Sequence, residues 1–240
     1  MLTLEGLHTG HCVRFLMDPG VARKQLREGT HLLPANRVQS LHPALRSVIE
    51  GQPEFASWIP SSLCLYYVER VHLGGRRYGN KDPRKRQIVG TWTLAATERG
   101  SGARRDLVLE LFGTHGDLVR AAGRAKVKFR EARSAVSKAV GTDNDLHEIR
   151  IGKTRLAWDG RAAGDSTAVE QIIEESWLAK GVSGAVWGVR ATFTPVWSRS
   201  LVGALSVEGK DDLATALKAS PTRFVGPVYY GGGGELRFSS

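Results

Sequence analysis

The side chains in this sequence with the plainest chemical potential are cations, and they are unevenly placed. Gly74 to Lys138 holds 16 Lys and Arg against 6 Asp and Glu, so this one region accounts for the whole formal charge of +10. Arg76, Arg77, Lys81, Arg84, Lys85 and Arg86 cluster between two strand-like runs, with Tyr78 among them. Arg120, Arg124, Lys126, Lys128, Arg130, Arg133 and Lys138 follow on a segment that reads mainly as helix. Cations gathered this way neutralise phosphates and release their counterions, which points to a polyanionic partner. Nearer the N-terminus, Arg23 and Arg27 stand four residues apart on one face of a predicted helix, and His31 follows beyond Gly29. Arginine holds developing negative charge, and histidine moves a proton near neutral pH. No HExxH or paired CxxC pattern occurs, so no metal or other cofactor is expected.

These groups need a scaffold. With 240 residues and 41% apolar content, the chain can bury one large core or two smaller ones. Nothing approaches 18 consecutive apolar residues, and MLTLEGLHTGHC lacks the pattern of a signal peptide, so a soluble, cytoplasmic protein without a membrane segment is expected. Cys12 and Cys64 lie in apolar, strand-like surroundings and read as free thiols of the core.

Asp18 and Pro19 predict a helix start, with Gly29 as its stop, and a second short helix runs from Pro43 to Glu50. Strands are predicted from Leu63 and Gln87 and over DLVLELF. The segment from His115 to Val140 is predicted as helix, although Lys126 to Arg130 alternates like a strand. A strand from His147 leads to a helix from Thr167, where Thr167 and Glu170 form a capping box and Val169, Ile172, Ile173 and Trp177 share a face. Two further strands, a helix from Asp211 and a last strand complete the chain. This order predicts an α+β fold of two tandem ferredoxin-like βαββαβ domains with antiparallel sheets, at residues 1–142 and 146–240.

The last stretch, FVGPVYYGGGGELRF, sets four glycines between aromatic, strand-like pieces, where bare backbone permits close approach by another group. With the tandem fold, LATALKASPTRFVGPVYYGGGGEL resembles the glycine-rich signature loop of the repeat-associated (RAMP) superfamily of CRISPR proteins, in particular the precursor-RNA processing endoribonucleases. Pro227, Val228, Tyr229 and Tyr230 stand where family loops carry Lys or Arg. The resemblance implies metal-independent cleavage by ribose 2′-OH attack, at a site near the first helix of the N-terminal domain. Arg23, His31 and Arg37 are the residues there that match, Arg23 to stabilise charge and His31 to act if a base is used. It further implies RNA contact by Arg27, by both basic clusters and by Tyr229, Tyr230, Gly231, Gly232, Gly233, Gly234 and Arg237. The implied partners are a CRISPR repeat stem-loop, the mature crRNA and other CRISPR effector subunits.

Two other readings accompany this one. The first is a non-catalytic subunit of the same superfamily that holds one end of the crRNA. The second rests on GVARKQLREGTHLLPA and WIPSSLCLYYVERVHLGG, which are similar to acetoacetate-decarboxylase-like β-barrels, where a buried lysine forms a Schiff base with a keto acid. That lysine follows a proline in the family, and no Pro-Lys pair occurs here. No helix-turn-helix or zinc signature supports a DNA-binding regulator.

Overall fold

The computed structural model describes residues 2–7, 9–68, 70–79, 87–138, 145–169, 172–181, 184, 186–202, 204–225, 228–230 and 233–239. Its elements begin with β1 (Leu2–Glu5), β2 (Thr9–Met17), α1 (Pro19–Arg23), β3 (Thr30–Leu32), α2 (Pro43–Gly51), β4 (Ile59–Val68) and β5 (Arg70–Leu73). They continue with β6 (Arg76–Gly79), β7 (Gln87–Leu94), β8 (Ala96–Glu98), β9 (Asp106–Gly113), α3 (Gly116–Arg124), β10 (Phe129–Lys138), β11 (Asp145–Ile151) and β12 (Thr154–Ala168). The last are β13 (Ile173–Lys180), β14 (Val186–Phe193), β15 (Trp197–Val202), β16 (Leu205–Glu208), α4 (Asp212–Ala219), β17 (Arg223–Val225), β18 (Val228–Tyr230) and β19 (Gly234–Ser239).

Strand pairing closes on itself. From β2 it passes through β4, β7, β9, β10, β11, β12, β15 and β18 and returns to β2, which makes a barrel. Because successive strand residues face opposite sides, Val13 and Phe15 of β2, Leu63, Leu65 and Tyr67 of β4, and Leu156 and Trp158 of β12 enter a shared inner cluster. Phe15, Phe112 and Trp158 are fully buried there, so side chains fill the barrel. Helix α4, capped where Asp211 accepts from Ala214 N–H at 3.1 Å, buries Leu213, Ala216 and Leu217 in the same cluster.

A second sheet, β13, β14, β19, β1, β5 and β6, covers the barrel from outside. Its Leu4, Trp177, Val189, Leu236 and Phe238 pack with Tyr66, Val68 and Val89, which face outward from the barrel wall. The two sheets share β9. One edge of β9 pairs along its length with β7. The other pairs with β13 at Asp106–Val108 and with β10 at Leu111–Gly113. At this fork Arg27 donates to the Val108 carbonyl at 2.5 Å and the Leu178 carbonyl at 2.7 Å, satisfying acceptors that the diverging strands do not.

This architecture overturns the tandem ferredoxin-like expectation. The helix predicted from Thr167 is the end of β12 and then β13. Positions four apart share a face in both helix and strand, so Ile173 and Trp177 satisfied either period. The predicted helix at 115–140 is nine-residue α3 followed by β10, with Lys126 between them at φ 64°, outside the helical region. Helix α1 ends at Arg23, so Arg23 and Arg27 share no helical face. The expected domains are joined by β1–β19 pairing and by a common core; residues 139–144 at their proposed boundary lie outside the described set. Cys12 and Cys64 are bonded to each other rather than free, across directly paired positions of β2 and β4. No helix among the described residues is long and apolar enough to cross a membrane.

Candidate active site

Where the outer sheet leaves the barrel, the two enclose a cavity of about 110 Å³. That is below the roughly 300 to 1,000 Å³ typical of drug-sized ligands, so it suits a small molecule. The barrel wall contributes Gly10, Cys12 and Arg14 from β2 and Ser62, Cys64 and Tyr66 from β4, each the outward partner of an inward core residue. Opposite them stand Ile173, Glu175 and Trp177 of β13 and Phe193 of β14, with Arg104 and Asp106 at the fork. A wider vestibule shares Arg104, Asp106, Ile173 and Glu175 and opens past Ser40 and Ile172.

Charge in the cavity is organised around two acids. Asp106, 8% exposed, accepts both prongs of Arg104, Nε at 3.0 Å and Nη2 at 2.9 Å. This bond raises the Arg104 guanidinium above its ordinary value. Glu175 is less tightly held. It accepts from Trp177 Nε1 at 2.9 Å. Its surface is accessible because it faces the cavity, yet protein surrounds it on most sides, and scarcity of bulk water governs its charge. That desolvation, with Asp106 nearby, raises its pKa, opposed by Trp177, Arg104 and Arg14. Burial also pushes the Tyr66 hydroxyl far up, with Glu175 adding to the effect. The Tyr66 ring stacks on Phe193 at 5.0 Å and 12°. Nε of Arg14 is buried without a hydrogen-bond partner among the described residues, leaving a cation able to receive an anion.

A raised carboxyl beside an incompletely bonded guanidinium can bind an acid and move one of its protons. Among the described residues no lysine lines this cavity. Arginine cannot replace one as an amine nucleophile, because it stays protonated. Among the described residues no group of His, Cys, Asp and Glu could hold a metal ion. Inside the barrel, Tyr67 Oη and His147 Nδ1 lie 2.7 Å apart, and His147 stacks on Trp158 at 5.5 Å.

The residues singled out from sequence lie mostly elsewhere. Arg23, His31 and Arg37 are exposed, on α1, β3 and a short 3-10 turn, and none lines the cavity. Arg27 staples the fork. With Lys24, Glu110, Lys128, Arg130 and Lys180 it lines an open hollow of about 300 Å³ between β13 and β10. Arg130 is paired with Glu110 at 2.6 Å and Arg120 with Asp117 at 2.5 Å. Arg124, Lys126 and Arg133 are exposed, as are Arg76 and Arg77 on β6, where Arg76 sits 5.8 Å over the Tyr78 ring. Lys81, Arg84, Lys85, Arg86, Gly231 and Gly232 lie outside the described residues. The backbone of Tyr229 pairs with Ser198 and Gly10, and that of Tyr230 with Trp197, helping to close the barrel. Arg237 is paired with Glu235 at 2.8 Å.

Of the two described glycines of the C-terminal run, Gly234 shows why a side chain is excluded. Gly233 meets the cavity and exchanges two 2.9 Å hydrogen bonds with Thr194 Oγ1. A Cβ on Gly234 would stand 2.7 Å from the Phe193 ring and 2.9 Å from Leu7 Cβ. Here the close neighbours are the chain's own strands. Arg14, Arg104, Asp106 and Glu175 went unread as a site. Glu175 breaks the apolar side of β13, and a lone acid between Ile173 and Trp177 was the available signal.

No protein-family model and no curated protein sequence matches the chain. Solved structures do match in fold. Acetoacetate decarboxylase from Legionella pneumophila has a TM-score of 0.58 at 9% identity, over 100% of this chain and 88% of that one. The enduracididine biosynthesis enzyme MppR complexed with pyruvate has a TM-score of 0.54 at 13% identity, over 100% and 90%. A further acetoacetate decarboxylase structure has a TM-score of 0.51 at 8% identity, over 97% and 85%. The chain therefore shares the fold of acetoacetate-decarboxylase-like enzymes, as the second alternative had it. This likeness overturns the CRISPR and RAMP resemblance, and with it the endoribonuclease reading and the RNA and effector-subunit partners.

Proposed function

We propose that this protein is a small-molecule enzyme that takes a 2-oxo carboxylate into the cavity and transfers a proton at its carbon 3 through Glu175, without a Schiff base. The observation that carries the reading is the raised carboxyl of Glu175 sharing with the partly unsatisfied Arg14 a cavity that no lysine lines among the described residues. The fold adds support, since MppR of the same fold is complexed with pyruvate.

The Arg14 fork receives the substrate carboxylate and the adjacent keto oxygen, a planar pair that matches guanidinium. Glu175 as carboxylate accepts a proton from carbon 3. The C–H electron pair forms the C2–C3 double bond, and the carbonyl pair moves to oxygen as an enolate facing Arg14. Return of the proton from Glu175 restores the ketone. A base with a raised pKa is a better match for a weak carbon acid than an ordinary carboxylate, and such catalysis contributes about 10²- to 10⁴-fold. Trp177 aims the carboxyl, while Arg104 is committed to Asp106.

The test is loss of the pyruvate methyl proton signal in deuterated water. Wild-type protein should catalyse exchange, increasingly as pH rises through the raised Glu175 pKa. Glu175→Gln should abolish it with binding retained, and Arg14→Met should weaken binding. Exchange unaffected by Glu175→Gln, or a lysine adduct trapped by borohydride and pyruvate, would overturn the reading.

A further inference from the structure

The Cys12–Cys64 bond is part of the cavity wall. Both residues are half-buried, and they face outward from the barrel beside Gly10, Arg14, Ser62 and Tyr66, while Val13, Leu63 and Leu65 between them face the core. The strands carrying them are already joined through nine paired positions, from Thr9 opposite Tyr67 to Met17 opposite Ile59. Opening the sulfur–sulfur bond therefore leaves the ladder in place. Arg14 lies two residues beyond Cys12 on the same face, and a nearby cation favours the thiolate that any exchange must release.

We propose that this pair is a redox site reached through the ligand cavity, with a low-molecular-weight thiol as its substrate. The thiolate of one small thiol attacks a cysteine sulfur. The Cys12–Cys64 bond breaks, and the other cysteine leaves as a thiolate beside Arg14. A second thiolate attacks the mixed disulfide, forms the small-molecule disulfide and expels the first cysteine. The protein gains two electrons and two protons, the two thiols lose them, and a small disulfide reverses the sequence. Reduction places two thiols in the wall facing Glu175 and so alters the cavity's lining. None of this depends on which ligand the cavity holds.

The test compares two reductants in native buffer, 2-mercaptoethanol free in solution and a thiol immobilised on agarose beads, with alkylation and intact mass as the readout. The free thiol should reduce the bond while circular dichroism stays unchanged, and the beads should be slower by at least about tenfold. Ile173→Trp, which narrows the mouth, should slow the free thiol. In the reduced protein, Arg14→Met should move the pH profile of alkylation upward. Should the tryptophan variant not fold, the contrast between beads and free thiol still decides. Equal rates for the two reductants, or reduction by 2-mercaptoethanol only after denaturant is added, would overturn the proposal.

Discussion

Replacing Gly90 by alanine tests how tightly the barrel is filled. Gly90 sits in β7, opposite Leu65 of β4 on one side and Phe112 of β9 on the other. A Cβ there would lie 2.1 Å from Phe112 Cζ, 2.4 Å from its Cε2 and 2.9 Å from the Cys64 carbonyl oxygen. Carbon atoms rest at about 3.5 to 4.0 Å, so the ring must move or the strands must part. Phe112 is 0% exposed and sits within the inner cluster, so its ring can move only against packed neighbours. Overpacking of this kind costs about 1 to 3 kcal/mol, while the stiffer unfolded chain returns about 0.4 to 1. A net loss of about 1.3 kcal/mol remains. With an unfolding entropy of about 2.1 cal/mol/K per residue over 240 residues, the melting temperature should fall by about 3 °C. Calorimetry on Gly90→Ala, Phe112→Leu and the double variant separates the clash from other effects. The smaller side chain makes room for the methyl group, so the double variant should be less destabilised than the sum of the two by about 1 kcal/mol or more. Additivity within about 0.5 kcal/mol, or an unchanged melting temperature for Gly90→Ala, would refute the reasoning.

Other predictions concern charge and capping. Because the Glu175 pKa is raised on folding, the native state binds the extra proton, and wild-type stability should fall as pH rises from the ordinary carboxylate range through the raised value. Glu175→Gln should remove that slope in denaturant titrations run at stepped pH. Glu148, held down to about 2 by Arg155 and Arg150, acts in the opposite sense. Its favourable contribution is present above the ordinary carboxylate pKa and is lost on acidification toward pH 2, which Glu148→Gln should show as a flatter acid limb. Arg27→Met leaves the Val108 and Leu178 carbonyls unpaired and should cost about 1 to 3 kcal/mol in urea unfolding. Asp211→Ala removes the α4 cap and should cost about 0.5 to 2 kcal/mol by the same measurement.

Local signals in the sequence were read well where chemistry and position coincide. Asp18 and Asp211 mark their helix starts because a short acid satisfies backbone donors only there, and both accept the bonds expected of caps. Helix α2, expected over Pro43–Glu50, occupies Pro43–Gly51. The larger architecture escaped because it depends on pairing between distant strands. Nothing in Asp106 or Leu111 announces that one edge of β9 changes partner midway. The basic segments attracted attention by charge alone, yet Arg120, Arg130 and Arg237 are neutralised by adjacent acids, and Arg27 serves backbone carbonyls. The cavity residues are single charges on otherwise ordinary strands, brought together by the fold from positions as far apart as Arg14 and Glu175.

The two-sidedness of β2 and β4 has an evolutionary corollary. Odd-numbered side chains from Val13 to Phe15 and Leu63 to Tyr67 supply the foundation, while their even-numbered neighbours supply the reagents. A lineage can therefore rewrite Arg14 or Ser62 and acquire a new reaction without touching a single residue on which the barrel stands.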